Sequence, residues 1–164
     1  MNYYVLQVVT GTENKVKDSL SSLDVINPER KLIIRRKGKK LNEVKSIFPG
    51  YIFLKTKENI DNVTLQLLKD TKNVVKILNS YKDPIPLCCN QLDLIKPLLN
   101  PNFKAELSNV NFNKDDKIVV INGPLKELEG QIIKVDKRKQ RATVQIEMYN
   151  KVHKINFSYI DISK

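Results

Sequence analysis

Tyr3-Tyr4-Val5-Leu6-Gln7-Val8-Val9 is a short run of aromatic and β-branched side chains that stops at Thr10-Gly11-Thr12, the pattern of a strand ended by a turn. The period then changes. Val16, Leu20 and Leu23 recur at helical spacing, with Val25 at the limit of the series, Thr12 at the N-cap and Glu13 in the first turn. Asn27-Pro28 closes this helix, because a residue preceding proline is pushed out of the α region. Lys31-Leu32-Ile33-Ile34-Arg35-Arg36 predicts a second strand, and Lys37-Gly38-Lys39-Lys40 suits a hairpin tip or a mobile loop. Residues 43–47 lead into a strand over 50–55. Ile60, Val63, Leu67 and Leu68, with Asp61 near the start, predict a helix over 59–69, and Val74-Val75-Lys76-Ile77-Leu78 a further strand. After the extended Asp83-Pro84-Ile85-Pro86, Asn90 is placed to cap a short helix ending at Leu99. This order of elements describes an α+β sandwich with a mainly antiparallel sheet.

The second part of the chain has a different rhythm. Residues 101–113 carry few regular signals and predict a linker. Beyond them, residues 117–121, 129–135, 141–146, 151–156 and 159–162 alternate as short strands, which predicts an all-β small barrel closing its own edges. The expected organisation is therefore 1–100, a linker at 101–113, and a second domain at 114–164.

Composition narrows the class. A chain of 164 residues with 41% apolar residues supports a packed core and argues against global disorder. The 29 Lys and Arg against 18 Asp and Glu leave a formal charge of +11, which points to nucleic acid or an acidic partner. The surplus is spread along the chain with no tail of like charge, so it lies on folded surfaces. Cys88 and Cys89 are adjacent and fit a reducing compartment, and with His153 as the one histidine they make no metal-ligand set. No apolar run reaches the roughly 20 residues that span a bilayer, and no leader precedes the first strand. No nucleophile–base constellation, P-loop or dinucleotide fingerprint is present. The expectation is a cytoplasmic, monomeric, non-enzymatic protein with no cofactor, no metal and no membrane contact.

Two motifs carry a resemblance. Tyr4-Val5 opening the first strand, Gly11-x-Glu13 at the helix start and Phe48-Pro49-Gly50-Tyr51 before the central strand resemble the N-terminal domain of the NusG family. Asp116-Lys117-Ile118-Val119-Val120-Ile121-Asn122-Gly123-Pro124, with Gly130 and the next strand, resembles a KOW domain. The resemblance covers nearly the whole chain in the right order. It implies a transcription elongation factor whose N-terminal domain binds the clamp region of RNA polymerase and whose KOW domain recruits other partners. It implies Tyr51 and Phe53 as polymerase-binding residues, with Ile77 on the neighbouring strand. Tyr51 and Phe53, two residues apart, share one face of a strand, and paired aromatics make good interface anchors. Lys37, Lys39 and Lys40 form a loop placed to approach nucleic acid.

The KOW part distinguishes branches of the family. Housekeeping members bind NusE or Rho near the fourth strand of this domain. The corresponding Glu147-Met148-Tyr149-Asn150-Lys151 lacks the usual Phe-Gly turn but retains Met148 and Tyr149 for apolar contact. The domain carries instead Lys134, Lys137, Arg138, Lys139 and Arg141 in one hairpin, Lys126 on the glycine loop, and Lys151, His153 and Lys154 later. Clustered Lys and Arg neutralise phosphates, and RNA hairpins are read through backbone shape and exposed loop bases. This pattern is similar to the specialised LoaP branch, and it implies that the KOW domain contacts a nascent RNA hairpin during antitermination. The housekeeping type, with NusE or Rho as the KOW partner, is the alternative. Ile118–Ile121 and Ala142–Ile146 favour strand, and Gly123-Pro124 would break a helix, so a single β state is expected for this domain rather than refolding into helices.

Overall fold

The computed structural model describes residues 1–79, 82–99 and 106–163, with the side chain of Cys89 excepted. By compactness the chain forms two units: residues 1–28, 46–93 and 148–150, and residues 29–45, 94–147 and 151–164. The first is built on one four-stranded sheet, the second on a two-stranded and a five-stranded sheet.

In the first unit the strands β1 (Asn2–Val8), β2 (Asp24–Ile26), β5 (Tyr51–Thr56) and β6 (Val74–Ile77) make a sheet of order β2-β5-β1-β6, with helices α1 (Glu13–Ser19) and α2 (Asn62–Asp70). β1 is antiparallel to both neighbours, pairing Val5 with Phe53 and Leu6 with both Ile52 and Ile77. Tyr4, Leu6, Ile52 and Leu54 pack with Val16 and Leu20 of the α1 region and with Leu65 and Leu68 of α2. The alternate positions Tyr3, Val5, Tyr51 and Phe53 are buried as well. Burial on both faces explains why β1 reads as a continuous apolar run and not as an alternation. Phe48 meets Phe53 edge to face at 5.4 Å, an arrangement that adds about 1 kcal/mol beyond area burial.

Two expectations for this unit change. Val25 does not extend the first helix; it lies in β2, paired with Leu54. Thr12 occupies the N-cap position without capping, since its hydroxyl donates to the Val9 carbonyl at 2.6 Å. The acceptor at this helix start is Glu13. Its carboxylate takes the Gly11 N–H at 3.1 Å and, in a buried hydrogen bond of 2.7 Å, the Gly50 N–H. Gly50 in turn has φ +84, and a Cβ there would stand 3.0 Å from the Thr10 hydroxyl. α2 follows the expected pattern, with the Asp61 side chain accepting from the Thr64 N–H at 2.8 Å. The third helix, α3 (Cys89–Ile95), begins one residue before Asn90 and runs into a 3-10 turn at Lys96–Leu99.

The second unit contains a two-stranded hairpin, β3 (Glu29–Arg36) and β4 (Lys39–Ser46, its last residue outside the unit), turned at Lys37-Gly38. It also contains a five-stranded half-barrel, β7 (Ser108–Phe112), β8 (Ile118–Asn122), β9 (Ile132–Asp136), β10 (Arg141–Met148) and β11 (Lys151–Asp161), in the order β8-β7-β11-β10-β9. Residues 108–112, within the stretch expected as linker, form β7, which is antiparallel to β8 and parallel to β11. Only Val110 and Phe112 are apolar there, too few for a strand signal. Residues 101–105 of that stretch lie outside the described residues. The last two predicted strands are one, β11.

The Asn122-Gly123-Pro124 turn has a steric origin. Gly123 has φ +96, and a Cβ on it would stand 2.5 Å from the Ser108 Cα. Ser108 is buried and its hydroxyl accepts from the Leu125 N–H at 2.9 Å. Gly123→Ala is therefore expected to force β7 and β8 apart and lower Tm by more than any surface substitution. Glu13→Ala, which strands the buried Gly50 N–H, is expected to cost about 2–3 kcal/mol. On a chain of this length that is a fall in Tm of roughly 5–10 °C, while Glu13→Gln, retaining one acceptor oxygen, should lose less. Thermal unfolding of the three variants checks both statements.

Candidate nucleic-acid interface

The β9–β10 connection is a basic turn held by its own backbone. The Asp136 carboxylate accepts from the Lys139 N–H at 3.0 Å, a bond that keeps this carboxyl below its ordinary range, and Gln140 closes the turn at φ +54. The cations it presents are not equivalent. Lys137 pairs with Asp116 and lies 4.3 Å from the centroid of the Phe112 ring, so its charge is locally neutralised. Arg138 and Lys139 instead line a cleft of about 470 Å³ together with Gln140, Arg141 and the β3 residues Ile33, Ile34 and Arg35. Among the described residues no carboxylate lines it. An adjoining cleft that shares Arg35, Arg138 and Gln140 does include acids, Asp116 and Asp161.

β3 reaches this region through specific bonds inside the second unit. The Ile33 N–H donates to the Ser158 hydroxyl at 2.9 Å, and Arg141 Nη2 donates to the Ile33 carbonyl at 3.2 Å. Lys40 Nζ donates to Gln140 Oε1 at 3.2 Å. Arg30 is buried, donating from Nε to the Asn156 carbonyl at 2.6 Å with its guanidinium 5.8 Å from the Phe157 ring centroid. Burial first, and then the nearby Arg141 charge, push its pKa down to about 10, so it remains charged at neutral pH. Arg141 Nε is itself buried with no hydrogen-bond partner among the described residues. Arg30 and Arg35 were not among the residues singled out from sequence. Nothing local marks them, since their relation to Arg141 is made by tertiary packing.

The remaining expected RNA contacts are dispersed. Lys126 is engaged, donating to the Val120 carbonyl at 3.0 Å and approaching Glu129 at 3.8 Å. Lys134 pairs across the ladder with Thr143, whose hydroxyl donates to Asn156 Oδ1 at 2.7 Å. Lys134 and Lys154 thus fall on the outward face of the sheet, both exposed, and Lys151 is exposed near the start of β11. His153 is half-buried. Burial first, and then the Lys151 charge, lower its pKa, so it carries no positive charge at neutral pH and cannot act as a phosphate-binding cation there.

The three expected polymerase-binding residues are not on one surface. Tyr51 and Phe53 share a face, 8% and 0% exposed. Ile77 pairs with Leu6 and belongs to the helix-side core, on the opposite face. Of the apolar pair expected near the fourth KOW strand, Met148 is fully buried and Tyr149 donates through its hydroxyl to the Ile85 carbonyl at 2.7 Å. Among the described residues no cluster of three His, Cys, Asp or Glu side chains could hold a metal, and no helix is long and apolar enough to cross a membrane.

Comparison with known proteins agrees with this architecture. The family described as transcription termination factor nusG matches residues 1–96, and the KOW motif matches residues 114–147. The chain is 23% identical to the transcription termination/antitermination protein NusG of Xylella fastidiosa (strain Temecula1) over 181 aligned residues, covering 99% of this chain and 98% of that one. It is 24% identical to the Bacillus subtilis protein of the same description, with 99% and 98% covered. Among solved structures, one titled for domain interaction in Thermotoga maritima NusG aligns with a TM-score of 0.56 at 18% identity, covering 96% and 93% of the two chains, and supports the fold.

His153 offers a direct check of this local environment, since it is the chain's one histidine. NMR titration should place its pKa below the ordinary value of about 6.5. With the folded pKa lowered, the unfolded state binds more protons in that window, so stability should be complete above about pH 6.5 and decline as pH falls below it. His153→Gln should remove that part of the decline. A measured pKa at or above 6.5 would contradict the assignment.

Proposed function

The chain belongs to the NusG family, and from that footing we propose that it is a transcription elongation and antitermination factor that acts by binding and not by catalysis. In this reading the first unit binds the clamp region of RNA polymerase and suppresses pausing and termination. The KOW half-barrel contacts a hairpin in the nascent RNA. The observation that carries the RNA part is the β9–β10 turn, where Arg138, Lys139 and Arg141 line a cleft with no acidic neighbour in it. Cations of this kind release counterions on meeting phosphate, which gives affinity with a steep salt dependence. Tethering to a transcript would raise the local concentration of the factor at chosen operons.

The polymerase surface in this proposal is the sheet face bearing Tyr51 and Phe53, without Ile77. Both rings are buried in this conformation, so docking requires that face to be uncovered. The alternative is a housekeeping factor whose KOW domain binds NusE or Rho. It is favoured by the relatives' descriptions as termination/antitermination proteins. It is disfavoured by Met148, which is fully buried, and by Tyr149, whose hydroxyl is already bonded to the Ile85 carbonyl.

Two measurements separate the readings. The full-length chain should bind a structured leader RNA at low salt, with log affinity falling linearly in log salt, and should increase terminator read-through in transcription reactions carrying that leader. Indifference to RNA, with binding to NusE or Rho, would favour the housekeeping reading. For the polymerase surface, Phe53→Leu keeps an apolar side chain and much of the fold, whereas Phe53→Ala would cost about 3–5 kcal/mol of stability. The folded Phe53→Leu variant is expected to bind polymerase several-fold more weakly. Unchanged binding would remove Phe53 from the surface.

A further inference from the structure

We propose that the cleft between β3 and the β9–β10 turn is a composite site for a short single-stranded segment of polynucleotide backbone, gripped by Arg35 and Arg138 across its mouth and by Arg141 at its base. This deepens the RNA-binding reading above and rests on it. It differs in assigning the grip to both the β3–β4 hairpin and the KOW turn, and in excluding several of the cations that the KOW sequence offers.

Charge accounting within the second unit separates the cations. Lys137 is paired with Asp116 and covered by a ring face, and Lys126 is held by Glu129 and a backbone carbonyl. A phosphate near either meets a carboxylate as well. Arg36, next to Arg35 in sequence, pairs with Glu43 at 3.7 Å. The cleft itself is lined by four cations, Arg35, Arg138, Lys139 and Arg141, and by no acid. Lys40, at the adjoining cleft that also holds Asp116 and Asp161, donates to the Gln140 amide oxygen.

The second observation is the state of Arg141. One arm of its guanidinium is spent on the Ile33 carbonyl, Nε is buried without a partner, and its charge bears on the buried Arg30. Placing a second guanidinium beside the buried Arg30 is unfavourable unless an anion compensates the pair. A phosphodiester in the cleft supplies that anion. Arginine suits the role better than lysine, because its planar fork donates two parallel hydrogen bonds to phosphate oxygens. Ile33 and Ile34 provide an apolar wall on which a sugar or base can rest. A cleft of about 470 Å³ admits a short stretch of one strand and not a duplex.

The test uses the full-length chain and one leader sequence prepared as RNA and as single-stranded DNA, each titrated between low and physiological salt. Arg35→Gln and Arg138→Gln, both at exposed positions, should each weaken binding about 5–10-fold at low salt. Each should also reduce the log–log salt slope by about 0.7, the value for one lost phosphate contact on a single strand. Arg36→Gln and Lys126→Gln, which remove the same charge outside the cleft, should stay within about twofold of wild type with unchanged slope. Circular dichroism and Tm confirm that each variant is folded. Equal loss of affinity for the RNA and DNA strands would identify the phosphodiester as the feature gripped; a larger loss for RNA would place a sugar hydroxyl in the cleft as well. If wild type binds RNA but Arg35→Gln behaves like Arg36→Gln, the composite cleft is wrong while the KOW–RNA reading stands. If wild type binds neither strand, both are wrong.

Discussion

The carboxylate of Glu13 holds two backbone N–H groups, those of Gly11 and of Gly50, which lies 37 positions further along the chain. Through this single side chain the start of α1 is tied to the turn that launches the central strand β5. Gly50 has room for no larger residue without crowding Thr10, and its carbonyl accepts from the Val8 N–H at 2.8 Å, closing the same knot on β1. A buried N–H with no acceptor costs free energy that a sheet edge cannot recover elsewhere. The Gly-x-Glu and Phe-Pro-Gly-Tyr motifs, separate in sequence, are therefore two halves of one structural device.

The KOW half-barrel has a corresponding constraint, of steric and not electrostatic kind. Gly123 lies against Ser108 with no space for a Cβ, and the Ser108 hydroxyl satisfies the Leu125 N–H just beyond the turn. The glycine of the Asn-Gly-Pro sequence is thus required by a strand some fifteen residues earlier, in a stretch whose composition reads as linker. Neither constraint touches the candidate nucleic-acid interface. They hold the scaffold, and the chemistry is placed on turns that the scaffold positions.

Those turns sort cations that look alike in one dimension. Lys137, Arg138 and Lys139 are consecutive, yet Lys137 turns to Asp116 and Phe112 while its neighbours face a cleft without acids. The left-handed backbone at Gln140 and the Asp136–Lys139 bond set this division. His153 is separated from the cations by partial burial, which keeps the imidazole neutral where the lysines around it are charged.

By itself the sequence determined the types of most elements, because hydrophobic period and turn chemistry are local: β1, α2, β5, β6, β8 and β10 are where the pattern put them. It also carried the family resemblance and the basic turn, both written in contiguous residues. β2, β4 and β7 escaped it, since three residues beside a helix, a largely exposed polar strand and a pair of apolar positions among asparagines give no period to read. Tertiary structure alone decided which face each strand residue occupies, because pairing register is not a local property. Leu6 aligns Ile77 with Ile52, and so turns Ile77 away from Tyr51 and Phe53. It also decided the company of Arg141, whose guanidinium meets the carbonyl of Ile33, 108 positions away. Packing free energy accumulates over the whole core, and no local pattern encodes which distant segment it will select.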